Sequence, residues 1–433
     1  MKGCKGVAWF LACLYFVIIV SAGPVFAQEG FFHVENRNGI WWIIDPQGAP
    51  MISVGVDHLS YESDQIKGAS QCPYAEALAG IYPDRNAWGL EALARIRQWG
   101  FNTIGAWSDP ELWTHGVPYT VILDFAGRAG ADWQKGVPAD FYDPRFEKTA
   151  EDIAGEICQP RRYDRSLLGY FSDNELRWGA DWRGKDTMLD MYLRLSTSAR
   201  GRERAVEFLR EKYAGDIQKL NQAWGVSAAN FGAVQGPGST DAYRADAAAF
   251  LEDVATRYFQ VSERAIRHAD PNHLYLGARF AGKPPEGVLR GARHADVVSI
   301  NVYDRDPRPV IQAVYKITRR PVLVGEFAFR AEDSGLPNTR GAGPKVPNQA
   351  ARAKAYADYA TRLESLPEAV GYHWFEWVDE PKEGRFDGEN SNYGLVDIHD
   401  RPYQEFVEAA KQANTAAVEA HKKAVAGDLP SPQ

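Results

Sequence analysis

From Met51 to Phe375 the chain alternates short apolar runs with stretches of helical periodicity, and the runs number eight: 51–57, 101–107, 119–124, 167–174, 274–279, 297–303, 321–326 and 370–375. Strands that alternate with helices pair in parallel, because each crossover returns the chain to the same end of the sheet. Eight such units predict an α/β fold, a (β/α)8 TIM barrel. An open doubly wound sheet would normally carry a Gly-rich phosphate turn after its first strand, and the sequence has none there. Upstream, residues 31–45 are two β-rich runs around Asn38-Gly39, which predicts an N-terminal β-hairpin capping one end of the core. Helical spacing is expected at Ala87 to Trp99, Arg145 to Ile157 and Tyr403 to Val425. Residues 177–272 form a long insertion after strand 4, helical over Arg202 to Tyr213, Asp216 to Trp224 and Asp241 to His268.

The two ends of the chain read differently from its middle. Lys2 and Lys5 precede an apolar stretch from Val7 to Val20, and Val25-Phe26-Ala27 is a small-residue cut site, so residues 1–27 are expected to be a signal peptide. Leu11-Ala12-Cys13 falls too early in that stretch to serve as a lipoprotein signal. No later segment has the ~18 consecutive apolar residues of a membrane span. The expectation is a secreted or periplasmic barrel over 28–425 with a flexible tail at 426–433. Removing Lys2 and Lys5 takes the formal charge from −8 to −10, which disfavours nucleic acid and anionic membranes as partners. Cys72 and Cys158 would be the only cysteines left, free to pair or not.

Two of the strand runs end on a carboxyl group. Leu167-Leu-Gly-Tyr-Phe-Ser-Asp-Asn-Glu-Leu176 carries Asn174-Glu175 at its tip, and Pro321-Val-Leu-Val-Gly-Glu-Phe327 carries Glu326. In a barrel the C-terminal strand ends converge on one face, so residues 150 apart in sequence can meet. Two carboxyl groups ~5 to 5.5 Å apart allow a retaining glycosidase mechanism, one attacking the anomeric carbon while the other protonates the leaving oxygen. Surface ion pairing would be the ordinary fate of a single glutamate. Two at matching strand ends point to chemistry. The histidines form no His-Glu-x-x-His pattern, and neither a Gly-x-Ser-x-Gly elbow nor a P-loop occurs, so metal, cofactor and serine-nucleophile chemistries are not expected.

Asn174-Glu175 after the fourth strand and Glu326 on the seventh resemble the retaining barrel enzymes of glycoside hydrolase clan A, which implies Glu175 as acid/base and Glu326 as nucleophile. Gly169-Tyr-Phe-Ser-Asp-Asn-Glu-Leu176, Gly325-Glu-Phe327, Gly371-Tyr-His-Trp-Phe-Glu-Trp377 and Gly384-Arg-Phe-Asp-Gly-Glu-Asn390 are similar to glycoside hydrolase family 50, the β-agarases. Phe208-Leu-Arg-Glu-Lys-Tyr213 and Leu220-Asn-Gln-Ala-Trp-Gly225 in the insertion resemble clan A β-galactosidases. Ala328 stands two residues past Glu326, where the agarase family usually carries His, so the sugar stays open between agarose and other β-galactosides.

Supporting residues are expected from the same geometry. Asn174 would hydrogen-bond the sugar 2-hydroxyl, and Tyr303 at the end of strand six would orient Glu326. Asp57 and His58 after strand one and Trp107 after strand two are placed to line the pocket. Trp374 and Trp377 are the candidate sugar-stacking platforms, and Glu376 between them a hydroxyl contact. Trp41 and Trp42 would seal the hairpin against the barrel. The substrate expected is a β-linked oligo- or polysaccharide. A glycan-binding barrel without catalysis, or a transglycosylase using the same site, are the competing functions.

Overall fold

The computed structural model describes residues 30–424 except Pro237, so the expected signal peptide and the tail at 426–433 lie outside the described residues. The apolar runs form the strands of one parallel sheet: β1 (Ser53–Val56), β2 (Thr103–Ile104), β3 (Tyr119–Ile122), β4 (Leu167–Phe171), β5 (Leu274–Tyr275), then β6 (Val298–Asn301), β7 (Val322–Phe327) and β8 (Ala369–Trp374). A further short stretch, Phe280–Ala281, pairs with β6, while β5 pairs with β4. The nine-strand order therefore begins and ends on neighbouring segments of one run, and the sheet curls into a TIM-like barrel domain.

The sequence reading took 274–279 as one continuous strand. Instead the pairing breaks between Tyr275 and Phe280, where Gly277 has φ +80° and Arg279 φ +43°. Left-handed backbone cannot continue a pleated ladder, so the run turns there and changes partners. Glycine serves a second purpose in β4. A Cβ on Gly169 would lie 2.3 Å from the Leu274 carbonyl oxygen, so only glycine lets β5 approach this closely.

Two layers of apolar contact hold the domain. Inside the barrel Leu168, Leu274, Leu323 and Val370 pack with Phe32 and Ile43 from the segment before β1. Those last two come from His33–Arg37 and Ile40–Ile44, which pair antiparallel around Asn38 (φ 56°) and Gly39 (φ 88°), and from the residue preceding them. This pair of strands closes the floor of the barrel, each fully buried apolar side chain contributing about 1.5–3 kcal/mol. Trp41 rests against that inner layer and donates to Tyr315 Oη, and Trp42 packs edge-on against His421. Outside the barrel a larger layer joins the strands to the helices, including Arg85–Gln98, Pro144–Ile153, Gln349–Glu364 and Gln404–His421. Between β4 and β5 stand the helices Arg200–Lys212, Ile217–Trp224 and Asp241–Ala269. Cys72 and Cys158 are buried and free, so no bridge joins them. Among the described residues no helix is long and apolar enough to cross a membrane.

Candidate functional site

At the C-terminal ends of β1 to β5 the chain turns abruptly. His58, Trp107, Asp124, Glu175 and Arg279 all have φ between 43° and 58°. Such conformations cost of order 1–3 kcal/mol each and persist where surrounding packing enforces them, often at functional sites. They fold the strand ends over a cavity of about 780 Å³ lined by His58, Trp107, Asn174, Glu175, Tyr303 and Glu326.

Six of the residues expected from sequence therefore share one cavity, and the two glutamates meet there in different surroundings. Glu326, on β7, is nearly buried. Its Oε1 accepts from Arg279 Nη2 at 2.5 Å and its Oε2 from Tyr303 Oη at 2.7 Å. Among the described residues no cation pairs with the Glu175 carboxylate, whose Oε1 accepts from Asn301 Nδ2 at 2.9 Å. Burial and, after it, the charge of Glu326 push the Glu175 carboxyl up to about 7, while Asn301, Arg279 and Arg183 pull the other way. One carboxylate is thus held by a guanidinium and a phenol, and the other retains a proton near neutrality, a separation of roles that acid–nucleophile pairs require.

Arg279 organises this floor and was not singled out from sequence. It is fully buried, and its Nη2 also donates to Asp57 Oδ2 at 3.0 Å while Nε donates to Asn174 Oδ1 at 2.9 Å. Its guanidinium carbon lies 4.7 Å from the Trp107 ring and 5.0 Å from Phe171. Because Asn174 Oδ1 is occupied, the amide donors of Asn174 remain for a ligand in the cavity. The signal was present in the sequence: a single arginine closing an apolar run, in the same strand-tip position as the two glutamates.

Four expected residues do not line the cavity. Asp57 is completely buried, with Oδ1 accepting from the Ala106 amide at 2.9 Å and Oδ2 holding Arg279, so it braces the floor from below. Trp374 faces the helices, donating to the Tyr393 carbonyl at 2.8 Å and packing on Phe327 and Phe406. Trp377 donates to Tyr74 Oη at 2.8 Å and stacks on Trp99. Both are core residues, and the aromatics that reach the cavity after β8 are Phe375 and Phe386. Glu376 is completely buried behind the wall, its Oε2 at 2.5 Å from His58 Nδ1. Burial, then the charge of Asp64, pushes Glu376 up to about 7. Burial works against a charged His58, but the charges of Asp64 and Glu376 outweigh it and raise the imidazole to about 9.

The loop after β8 completes that wall. Arg385 pairs with Glu380, Asp387 and Glu389 at 3.0, 3.0 and 2.9 Å, and Arg385, Phe386 and Glu389 reach the cavity. His58, Asp64 and Glu376 bring potential metal-ligand atoms within 4.8 Å of one another, but the 2.5 Å approach of His58 to Glu376 is that of a hydrogen bond.

No family model matches the chain. Its relatives are nevertheless plain. It is 29% identical to β-agarase A of Vibrio sp. (strain JT0107) over 88% of its own length. This chain is similar to β-agarases. It spans 45% of that relative, about half the length of the protein it matches. The solved structure of an exo-β-agarase superposes with a TM-score of 0.79 at 26% identity, covering 90% of this chain and 66% of that one. A β-galactosidase from the haloarchaeon Halorubrum lacusprofundi shares the fold, with a TM-score of 0.54 at 17% identity over 85% of this chain and 58% of its own.

Proposed function

We propose that this chain is a glycoside hydrolase that cleaves agarose-type β-galactosidic linkages with retention, using Glu175 as acid/base and Glu326 as nucleophile. The observation that carries the reading is the asymmetry of the two carboxyls in one cavity, one paired with Arg279 and Tyr303, the other raised to about 7. Similarity to β-agarases over nine tenths of the chain supports the choice of substrate.

In the first step a Glu326 carboxylate oxygen attacks the anomeric carbon as the bond to the leaving oxygen breaks. The proton held by Glu175 passes to that oxygen, and a glycosyl ester on Glu326 results. Esterification removes the negative charge that helped keep the proton on Glu175. Glu175 therefore stays ionised in the ester intermediate and serves as base, taking the proton of the water that attacks. Water then adds to the anomeric carbon, releasing the sugar and restoring both groups. Arg279 and Tyr303 hold Glu326 in place throughout, and Asn174 donates to the 2-hydroxyl, a contact that tightens in the transition state. Atoms and charges balance with no further group.

In the same proposal residues 1–27 direct export and are removed, and 28–425 form the catalytic unit, acting outside the cell or in the periplasm. Hydrolysis of agarose and other β-linked galactans by the parent, with loss in Glu175→Gln and Glu326→Gln, tests the assignment. Unchanged activity in both variants refutes it.

A further inference from the structure

Outside the barrel floor the least explained side chain is Trp182, which is 64% exposed on the loop that follows β4. Indoles are seldom left so open without a use, because most of their area is apolar. This one is held in place rather than merely accessible. Its ring lies 4.2 Å from the guanidinium carbon of Arg183, and the same guanidinium lies 5.9 Å from the ring of Trp133. The Arg183 side chain is almost fully buried and held by three residues. Nε and Nη2 donate to Asp181 Oδ2 at 2.9 and 2.6 Å, and Nη1 donates to the carbonyls of Glu175 at 3.0 Å and Trp133 at 3.1 Å. The three groups therefore form a ladder that starts at the backbone of Glu175, passes Trp133 in the cavity wall and ends at solvent.

The apolar face of a pyranose is a fitting partner for either ring. The direction of the ladder decides which sugars it would meet. The acid must stand beside the leaving oxygen, so sugars on the leaving-group side run past Glu175 and outward.

We propose that Trp133 and Trp182, spaced by Arg183, are the stacking platforms for the sugar residues beyond the scissile bond. The ligand they select is a β-linked galactan chain extending out of the cavity, as opposed to a disaccharide. This rests on the assignment of Glu175 as the acid. Long and short oligosaccharides from agarose would be compared on the parent, Trp182→Ala and Trp182→Phe, by kcat/KM and, in the Glu326→Gln background, by calorimetric Kd. The preference for long over short chains falls about fivefold to tenfold in Trp182→Ala, as a lower kcat/KM ratio and a higher Kd ratio, and Trp182→Phe restores most of it. A ratio unchanged in Trp182→Ala by both readouts overturns the platform. If the parent binds long chains and cleaves none, the hydrolase reading fails, while the Kd ratio still decides the platform.

Discussion

Replacing Arg279 by Met would remove the guanidinium that joins Asn174, Asp57 and Glu326 beneath the cavity and leave its shape nearly intact. The guanidinium gives hydrogen bonds to Asn174, Asp57 and Glu326, at 2.9, 3.0 and 2.5 Å, and Asp57 is fully buried. Water cannot take over the contact to Asp57, which lies below the cavity. Deleting one partner of a buried pair costs about 3–5 kcal/mol, chiefly because the other charge is stranded. That is a large share of the ~5–15 kcal/mol that holds a domain together. The penalty should depend on pH with a definite sign, since a stranded carboxylate sheds its charge by taking up a proton. Urea unfolding of Arg279→Met against the parent is expected to show a loss of about 4 kcal/mol at pH 8 and a smaller loss at pH 5. Arg279→Lys should recover only part, because an ammonium cannot reproduce the planar fork that serves three acceptors. A loss under about 1 kcal/mol, or one equal at both pH values, would refute the claim that Arg279 neutralises this floor.

Other consequences are equally open to measurement. Since Glu175 must be protonated for the first step and its carboxyl sits at about 7, kcat/KM should fall as pH rises above 7; a rate flat to pH 9 would contradict the role. Glu376 and His58 both bind protons more tightly than their ordinary values of 4.5 and 6.5, up to about 7 and 9. The folded state therefore takes up more protons than the unfolded one, and stability falls with rising pH, across 4.5–7 for Glu376 and 6.5–9 for His58. In His58→Asn the decline between 6.5 and 9 should flatten, as read from melting temperatures across that range. Trp377→Ala should cost about 3–5 kcal/mol by thermal unfolding and leave the long-to-short substrate ratio unchanged, whereas a sugar platform would show the reverse.

What the sequence made visible were the features carried by local pattern. Apolar runs set the strands, and a carboxyl at the tip of two of them marked Glu175 and Glu326 as cavity residues. Asn38-Gly39 announced a tight turn through the left-handed backbone that both residues adopt, φ 56° and 88°. Pattern failed where a strand stops being a strand. Alternation from Trp374 would turn Glu376 to the pocket, and Trp374 and Trp377 are expected there as stacking rings, but the strand ends at Trp374. Beyond it Phe375 turned to the cavity, and both tryptophans went to the core. Asp57 was read as a pocket residue because it follows β1, whereas its charge is spent on Arg279 below the cavity floor. Trp133, Arg385 and Phe386 sit on irregular loops with no periodicity to expose them, and only tertiary packing brings them to the wall.

The account rests on a division of labour between two glutamates, and hydrolysis is its most direct measure. The parent, Glu175→Gln and Glu326→Gln would be assayed side by side on agarose, other β-linked galactans and β-glucans, with product configuration followed by NMR. The account predicts short β-configured fragments from a galactan by the parent, and near-complete loss in each variant. Inverted products, or a Glu326→Gln protein as active as the parent, would contradict it.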